Sequence, residues 1–420
     1  MNKQFFINNR LKYLQNIEDN SITVMFSGGL IPWTGDQDYT FEINKNFYYL
    51  TGINQENVIF VLVNGSNGVR EYLFIEENDE LTSKWVGKKL TIDEAKEISG
   101  IKEVLYLNEF NDLFFNILNG NRKIQDDIKN IYLDLERKNN KDYFSRSLNF
   151  CQEFRNNYPE IKVFNNYHII VSLRMIKTAE EVEKIKESIN TTKIALENVM
   201  RNLAPNLYEY QIETFFDSAI KYHGNKDKAF ETICASGKNA TILHYVKNDS
   251  VARDGDLILF DLGCRTNFYV SDISRTYPVN GKFTNRQKEV YQVVLECNKK
   301  CIQFLKPGVT WDEFNKYANN LLVEGLKKLG KINDESELTQ YYWHSIGHFI
   351  GLDTHDPGLR NVPFKPGMVL TVEPGLYLED ENIGIRIEDN VLITEDGALN
   401  LSKDIIKEIE DIENFMKKSV

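Results

Sequence analysis

The chain has 420 residues, of which 42% are hydrophobic, so it is long enough for two globular domains that each bury a core. Acidic residues outnumber basic ones by 62 to 50, and the net charge of −12 argues against a nucleic-acid partner, because phosphate binding needs clustered Lys and Arg. The five scattered cysteines form no CxxC pair and no apolar run has the length of a membrane span, so we expect a cytoplasmic protein with no membrane partner.

The first part of the chain, up to about residue 165, alternates strand-like apolar runs with helical patterns, which is typical of an α/β domain. Four runs are predicted as strands, at residues 21–26, 56–63, 71–77 and 130–136. Between the first two lies an aromatic cluster that we interpret as core packing rather than a binding surface. Its members are Tyr39, Phe41, Phe47, Tyr48 and Tyr49.

A second domain is predicted to open with a helix after residue 172. Thr178 and Glu181 have the spacing of a capping box, and apolar residues then recur at helical spacing. A further helix is expected to end at Gly224, after which the chain becomes rich in strand-forming residues. The predicted domains are therefore 1–172 and 173–420.

Two aspartates stand at the ends of apolar runs in "LILFDLGCRTNFYVSDISRTYP", residues 257–278. If the chain reverses at Thr266–Asn267, Asp261 and Asp272 become direct cross-strand partners with Cβ atoms about 4.5–5.5 Å apart. Carboxylates this close repel each other unless a proton or a cation lies between them. The alternative is a solvated hairpin whose acids point outward.

The same half of the chain contains further groups of metal-ligand type. Glu373 ends the β-branched run "MVLTVEPG", and alternation in "IGIRIEDNVLI" places Arg386 and Glu388 on one face of a strand. Each of these three residues alone is more simply explained as a surface polar residue on a half-buried strand, and His244 alone as a core histidine with satisfied hydrogen bonds. Four of the six histidines also lie in this half beside apolar runs, namely His244, His344, His348 and His355.

Four carboxylates and one imidazole are a poor match for a structural zinc site, which prefers Cys and His. Oxygen-rich ligation favours Mn²⁺ or a similar hard divalent ion, and several carboxylates can hold two metal ions about 3.5–4 Å apart. Such a pair of ions lowers the pKa of a shared water and polarises a carbonyl group, which is a catalytic arrangement.

The candidate ligands also resemble a known family. Their order of Asp, Asp, His, Glu and Glu, with a spacing of eleven positions from the first aspartate to the second, resembles the dinuclear pita-bread metallopeptidases, above all the Xaa-Pro aminopeptidases, or aminopeptidase P. "GKNATILHY", "SDISRTYP", "GHFIGLDTHD", "VEPG" and "GIRIEDNVLIT" are similar to that group, and "NFYYLTGI" and "SKWVGKKL" are similar to its N-terminal domain. The resemblance implies an α/β N-terminal domain followed by an α+β catalytic domain with the pita-bread fold.

The resemblance implies two divalent metal ions, which we expect to be Mn²⁺. Asp261 would hold one ion, His348 and Glu373 would hold the other, and Asp272 with Glu388 would bridge both.

It also implies catalytic roles. His244 and His355 would line the substrate side and stabilise the tetrahedral intermediate, while His344 and Arg386 would support the site from behind. Glu373 would in addition carry a proton to the leaving nitrogen.

Three further positions bear on this resemblance. Trp85 resembles a residue that reaches the active site from a neighbouring subunit, and the family implies a homodimer or homotetramer. Phe230 stands where similar enzymes often have a tyrosine, so one hydrogen bond near the metals is expected to be missing. Thr354 replaces a commoner valine.

The resulting hypothesis is an aminopeptidase that releases the N-terminal residue from peptides with proline at the second position. Prolidase, which cleaves only dipeptides and must recognise the terminal carboxylate, is the nearest alternative. A binding protein of the same fold without catalytic activity is another. We expect no cation near the site beyond Arg386, and hence an open cleft that accepts longer peptides.

Overall fold

The computed structural model of the chain divides into two compact units, Met1–Arg174 and Met175–Val420. The division falls inside a helix, two residues beyond the boundary expected from the sequence. The residues that the structure describes are 1–119, 126–137, 139, 145–225 and 227–417.

Unit 1 is built on one six-stranded mixed sheet. Its strands are β1 (Ser21–Phe26), β2 (Ile59–Gly65), β3 (Gly68–Ile75), β4 (Glu103–Tyr106), β5 (Asn130–Leu133) and β6 (Lys162–Asn165), in the spatial order β4-β3-β2-β1-β5-β6. Its helices are α1 (Lys3–Leu14), α2 (Lys45–Thr51), α3 (Glu80–Val86), α4 (Ile92–Ser99), α5 (Phe110–Asn119), α6 (Arg146–Asn157) and α7 (Tyr167–Met175), which ends one residue into unit 2. The sheet and helices confirm the predicted α/β class.

The four predicted strands of unit 1 are present, and β1 has the predicted bounds. The sequence missed β4 and β6, because each has only four residues, of which at most one is buried, and this leaves too short a pattern to recognise. Within the aromatic cluster, Phe47, Tyr48 and Tyr49 are buried on α2 as predicted. Tyr39 is 55% exposed, so the packing interpretation is wrong for that residue.

Unit 2 carries several small antiparallel sheets. Its strands are β7 (Ile233–Ser236), β8 (Leu257–Leu262), β9 (Arg265–Thr266), β10 (Tyr269–Val270), β11 (Ile273–Pro278), β12 (Val369–Val372), β13 (Gly375–Leu378), β14 (Ile383–Arg386), β15 (Asp389–Ile393) and β16 (Ala398–Asn400). They pair as β11-β8-β7, β12-β15-β16, β13-β14 and β10-β9. The helices are α8 (Ala179–Asn202), α9 (Glu209–Tyr222), α10 (Asn285–Phe304), α11 (Trp311–Lys328) and α12 (Ile409–Met416).

The first helix of unit 2 confirms the predicted capping box. The Thr178 hydroxyl accepts the backbone N–H of Glu181, and the Glu181 carboxylate accepts the backbone N–H of Thr178. Gly224 follows the end of α9 with a φ of 87°, a left-handed conformation that favours glycine, as the sequence predicts.

In the part of the chain that the structure describes, no helix is both long and apolar enough to cross a membrane.

Candidate metal centre

A single cavity of about 320 Å³ in unit 2 brings together every residue that the sequence proposes for the site. These residues are His244, Asp261, Asp272, His344, His348, His355, Glu373, Arg386 and Glu388. They come from strands and loops spread over more than 140 positions of the chain, so the folded unit is needed to assemble them.

The hairpin that carries the two aspartates differs from the prediction in its register. Asp261 on β8 lies opposite Ser274 on β11, so the direct pairing of Asp261 with Asp272 is wrong. The turn is centred one residue later, on Asn267 and Phe268, whose φ angles are 49° and 70°. A left-handed phenylalanine is uncommon, and the sequence does not signal it. Since alternation along β11 is unchanged, Asp272 remains on the face of Asp261 as a diagonal neighbour.

Three carboxylates, of which two are buried and that of Asp261 is partly buried, meet at this face. One ligand atom each from Asp261, Asp272 and Glu388 lies within 4.8 Å of the other two. Asp261 Oδ1, Asp272 Oδ1 and Glu388 Oε1 are buried and have no hydrogen-bond partner among the described residues. Buried charges are normally paired or coordinate a metal, so three unpartnered oxygens in one cluster fit a divalent cation.

The raised pKa values of the carboxylates in this cluster also fit a site for a cation. Burial and the neighbouring Asp261 raise the pKa of Asp272 well above its ordinary value, and burial with Asp272 does the same for Glu388. Burial also raises the pKa of Glu373. The cluster therefore needs protons or cations to offset its charge.

The imidazole of His348 faces these carboxylates through one ring nitrogen. Its Nδ1 lies 2.9 Å from the Phe349 carbonyl oxygen, which fixes the Nδ1–H tautomer and leaves Nε2 free. Nε2 lies 3.4 Å from Asp272 and 3.5 Å from Glu373. The ligand atoms of His348, Glu373 and Glu388 form a second candidate metal group. The donors therefore suffice for two ions.

His348 and Glu373 are held together by the pairing of two backbone segments. The N–H of Thr371 donates to the carbonyl of His348, and the N–H of Glu373 donates to the carbonyl of Ile346, both at 2.9 Å. A Cβ on Gly347 would lie 2.1 Å from the carbonyl oxygen of Thr371, so only glycine allows this approach. The glycine before His348 therefore sets the position of the imidazole.

Arg386 supports the carboxylates from behind. Its guanidinium donates to Ser274 Oγ at 2.7 Å, to the Tyr377 hydroxyl at 3.0 Å and to Asp261 Oδ2 at 2.7 Å. The Ser274 hydroxyl in turn donates to Glu388 at 2.8 Å. Burial alone would lower the pKa of Arg386, but Tyr377 and Asp261 raise it well above its ordinary value. The guanidinium is therefore a permanent cation that orients two candidate ligands.

His344 lines the cavity and is held at both ring nitrogens. Nε2 is 2.9 Å from the Tyr377 hydroxyl and Nδ1 is 2.9 Å from the Ser345 carbonyl oxygen. Burial lowers the pKa of His344 to about 4, so the ring is neutral at pH 7.

His244 and His355 are both exposed on the cavity wall, so the core-histidine alternative for His244 is wrong. The ring of His355 lies 4.2 Å from that of His348. Partial desolvation and the neighbouring His348 lower the pKa of His355 to about 4. His355 also forms a third candidate ligand group with Asp272 and His348.

The comparisons with known proteins agree with this geometry. Residues 183–395 match metallopeptidase family M24, and residues 6–125 match the N-terminal domain of aminopeptidase P. The Xaa-Pro aminopeptidase of Escherichia coli (strain K12) is 31% identical over 445 residues, which cover 99% of this chain and 98% of that protein. The chain belongs to the aminopeptidase P family.

Solved structures extend the likeness of this aminopeptidase P family member to the fold. A Bacillus anthracis structure assigned to aminopeptidase P superposes with a TM-score of 0.97 at 45% identity and covers 99% of both chains. Aminopeptidase P from E. coli with the inhibitor Pro-Leu superposes with a TM-score of 0.90 at 31% identity, over 99% of this chain and 98% of that one. The predicted pita-bread fold of unit 2 is confirmed.

The sequence missed one cation of this family member's cavity. Arg360 is exposed and lines the cavity beside the candidate ligands, so the expectation that Arg386 is the only cation near the site is wrong. Its guanidinium carbon lies 4.6 Å from the centroid of the Trp311 ring. Arg360 belongs to a loop with no periodic pattern, and only the fold brings it to the site.

Two further residues contact the site. The sequence did not indicate Asn390, and it noted Thr354 only as a departure from the family. Asn390 donates to the carbonyl of Asp272 at 2.6 Å and accepts its N–H at 3.1 Å, which holds that ligand's backbone. Alternation could have found it, since it follows Glu388 by two residues on the same face. The Thr354 hydroxyl donates to the carbonyl of Ala229 at 3.3 Å, next to the partly buried Phe230.

Proposed function

We propose that the chain is a metal-dependent Xaa-Pro aminopeptidase, which releases the N-terminal residue from peptides whose second residue is proline. The observation that carries this proposal is the cavity in which three buried carboxylate oxygens without partners face an imidazole and a fourth carboxylate. Relatives of nearly the same length as this chain are Xaa-Pro aminopeptidases, which supports the substrate class.

The proposed cofactor is a pair of divalent cations, with Mn²⁺ favoured by the oxygen-rich donor set. Asp261, Asp272, His348, Glu373 and Glu388 would hold them. When bound, such ions supply a water of lowered pKa and a Lewis acid for the peptide carbonyl.

The side chains of the site have complementary tasks in this proposal. Glu373, whose pKa is raised by burial, is suited to hold a proton and pass it to the leaving proline nitrogen. His244 and His355 lie on the exposed wall, where a ring N–H can donate to the developing oxyanion. His344 has both nitrogens engaged, so it acts through Tyr377 and Arg386 rather than on the substrate.

Arg360 is the one observation that favours prolidase as a second candidate. An exposed guanidinium in the cavity is a suitable partner for the terminal carboxylate of a dipeptide. An aminopeptidase P must instead leave room beyond the proline for a continuing chain. Substrate length therefore separates the two activities.

The test uses Mn²⁺-loaded enzyme with Ala-Pro, Ala-Pro-Leu, a longer Ala-Pro peptide and the matching Ala-Ala series, with products separated by chromatography. We expect the longer Ala-Pro peptides to be cleaved at least as well as Ala-Pro. Alanine-second peptides should be cleaved far more slowly, because a secondary amide resists twisting more than an Xaa-Pro bond does. If proline is released only from the dipeptide Ala-Pro, and the Arg360→Met variant loses this activity, the enzyme is a prolidase instead.

We also propose that the enzyme acts as a cytoplasmic homodimer or homotetramer. On α3 the apolar side chains of Leu81, Trp85 and Val86 are 65%, 83% and 73% exposed, which is costly for a free surface. All five cysteines are buried and free, as suits a reducing compartment. Light scattering of the purified protein and of Trp85→Ser tests the assembly, and a monomeric wild-type protein would contradict it.

A further inference from the structure

A buried carboxylate underlies the segment that carries His244, which we call the His244 segment (residues 236–250). Glu209 lies in the first turn of α9 and is 0% exposed. Among the described residues no lysine or arginine lies within ion-pair distance of it. Its two carboxylate oxygens are instead satisfied by hydrogen bonds alone.

Both carboxylate oxygens of Glu209 accept hydrogen bonds from the His244 segment. One oxygen accepts from the Ser236 N–H at 2.7 Å, the Ser236 hydroxyl at 2.8 Å and the Asn239 amide at 3.0 Å. The other accepts from the Tyr245 hydroxyl at 2.7 Å and the Ser250 N–H at 3.0 Å. Five donors that span the first and last residues of the segment therefore converge on one side chain.

A carboxylate suits this position and an amide does not. A carboxylate accepts at both oxygens, whereas the NH₂ group of a glutamine would point at two or three of these donors. The first turn of α9 also favours negative charge through the helix dipole. Burial raises the pKa of Tyr245 to about 12, so its hydroxyl stays protonated and remains a donor.

Tyr245 directly follows His244, so its hydrogen bond fixes the backbone next to the imidazole. The Glu209 N–H also donates to the Ser250 carbonyl at 2.8 Å, which ties the end of the segment to α9 a second time. We propose that Glu209 is a positioning residue, which holds His244 at the cavity wall without itself lining the cavity. This inference rests on the proposed function, in which His244 acts on the substrate.

The test is a double-mutant cycle on Mn²⁺-loaded enzyme with Ala-Pro-Leu, which compares wild type, Glu209→Gln, His244→Ala and the double variant. We expect Glu209→Gln to lower kcat by about 10- to 100-fold with little change in bound metal, since a misplaced group costs rate at this scale. In the His244→Ala background the same change should cost less than about twofold, because residues that act as a unit are not additive. A simple loss of stability would cost the same in both backgrounds.

Glu181→Gln is the matched control, since Glu181 is also a buried glutamate in a first helical turn that accepts a tyrosine hydroxyl, that of Tyr269 at 2.9 Å. We expect it to lower Tm while kcat stays within about twofold. If Glu209→Gln does not fold, Tyr245→Phe takes its place with an expected loss of about three- to tenfold, again absent without His244.

The outcomes separate the two proposals. The positioning role is overturned if Glu209→Gln lowers kcat by the same factor with and without His244. It is also overturned if folded Glu209→Gln keeps full activity while His244→Ala is impaired. Both outcomes leave the proposed function standing. A wild-type enzyme that cleaves no Xaa-Pro peptide would refute the proposed function. A His244→Ala variant with full activity would refute the part of His244 in that function. Either result would also refute the positioning role.

Discussion

Replacing Asp272 by asparagine should stabilise the metal-free protein, although it removes a candidate metal ligand. Asp272 is only 4% exposed and shares a site with Asp261 and Glu388, whose ligand atoms lie within 4.8 Å of its own. With an effective dielectric constant of about 20, two full charges at that distance repel by roughly 3.5 kcal/mol. Asp272 takes part in two of the three pairs in this cluster.

The observed gain should be smaller than this repulsion, because the metal-free cluster can bind protons. We expect Asp272→Asn to raise the free energy of unfolding of the metal-free protein by about 1–2 kcal/mol, or about 2–8 °C in Tm for a unit of this size. Saturating Mn²⁺ should reverse the order, since a ligand at 100 times its Kd stabilises the wild type by about 2.7 kcal/mol. The variant should gain little from Mn²⁺ and lose turnover.

Calorimetric unfolding of both proteins in chelator and in Mn²⁺ checks this reversal. Asp389→Asn is the matched control, because Asp389 is 0% exposed but pairs with Arg275 at 2.8 Å and Lys407 at 2.5 Å. That change leaves the buried Arg275 and the partly buried Lys407 without their carboxylate partner and should cost about 3–5 kcal/mol with or without metal. A metal-free Asp272→Asn less stable than wild type would refute the repulsion argument. An undiminished response to Mn²⁺ would remove Asp272 from the ligands.

Two further predictions follow from the site and the surface. His244→Ala and His355→Ala should each retain bound metal while turnover falls by about 10²–10³-fold, and metal lost in step with activity would make either histidine a ligand. Arg286, and to a smaller extent Lys331, lowers the pKa of Glu381 from 4.5 to about 2. The ion pairs of Glu381 therefore stabilise the fold above about pH 4.5, and this stabilisation is lost as the pH falls towards 2. Glu381→Gln should therefore lower stability by about 1 kcal/mol at pH 7 and by almost nothing near pH 2, and a pH-independent difference would contradict the linkage.

How far the sequence predicts this molecule depends on whether a feature is local. Alternation from β14 into the residues that follow it correctly places Arg386 and Glu388 on one face, where both contact Ser274. The capping box of α8 and the strand bounds of β1 are local patterns and are likewise predicted correctly. The roles of the candidate ligands came from the family resemblance, since alternation and composition indicate only an acidic cluster.

The features that the sequence missed depend on contacts between distant segments. Phe268 adopts a left-handed conformation that its own side chain disfavours, and this moves the hairpin register by two residues. Arg360 reaches the cavity through a loop without periodicity. Glu209 resembles an ordinary first-turn glutamate, and its five donors lie 27 or more positions further along the chain.

The wide spread of the candidate ligands has a consequence during synthesis of the protein. A ribosome adds about 5–20 residues per second, so roughly 6–25 s pass between the addition of Asp261 and that of Glu388. Throughout that interval the nascent chain carries aspartates without the glutamate proposed to bridge with them. Because Glu388 belongs to both candidate ligand groups that it is proposed to bridge, neither candidate metal site can be complete until this residue has emerged from the ribosome.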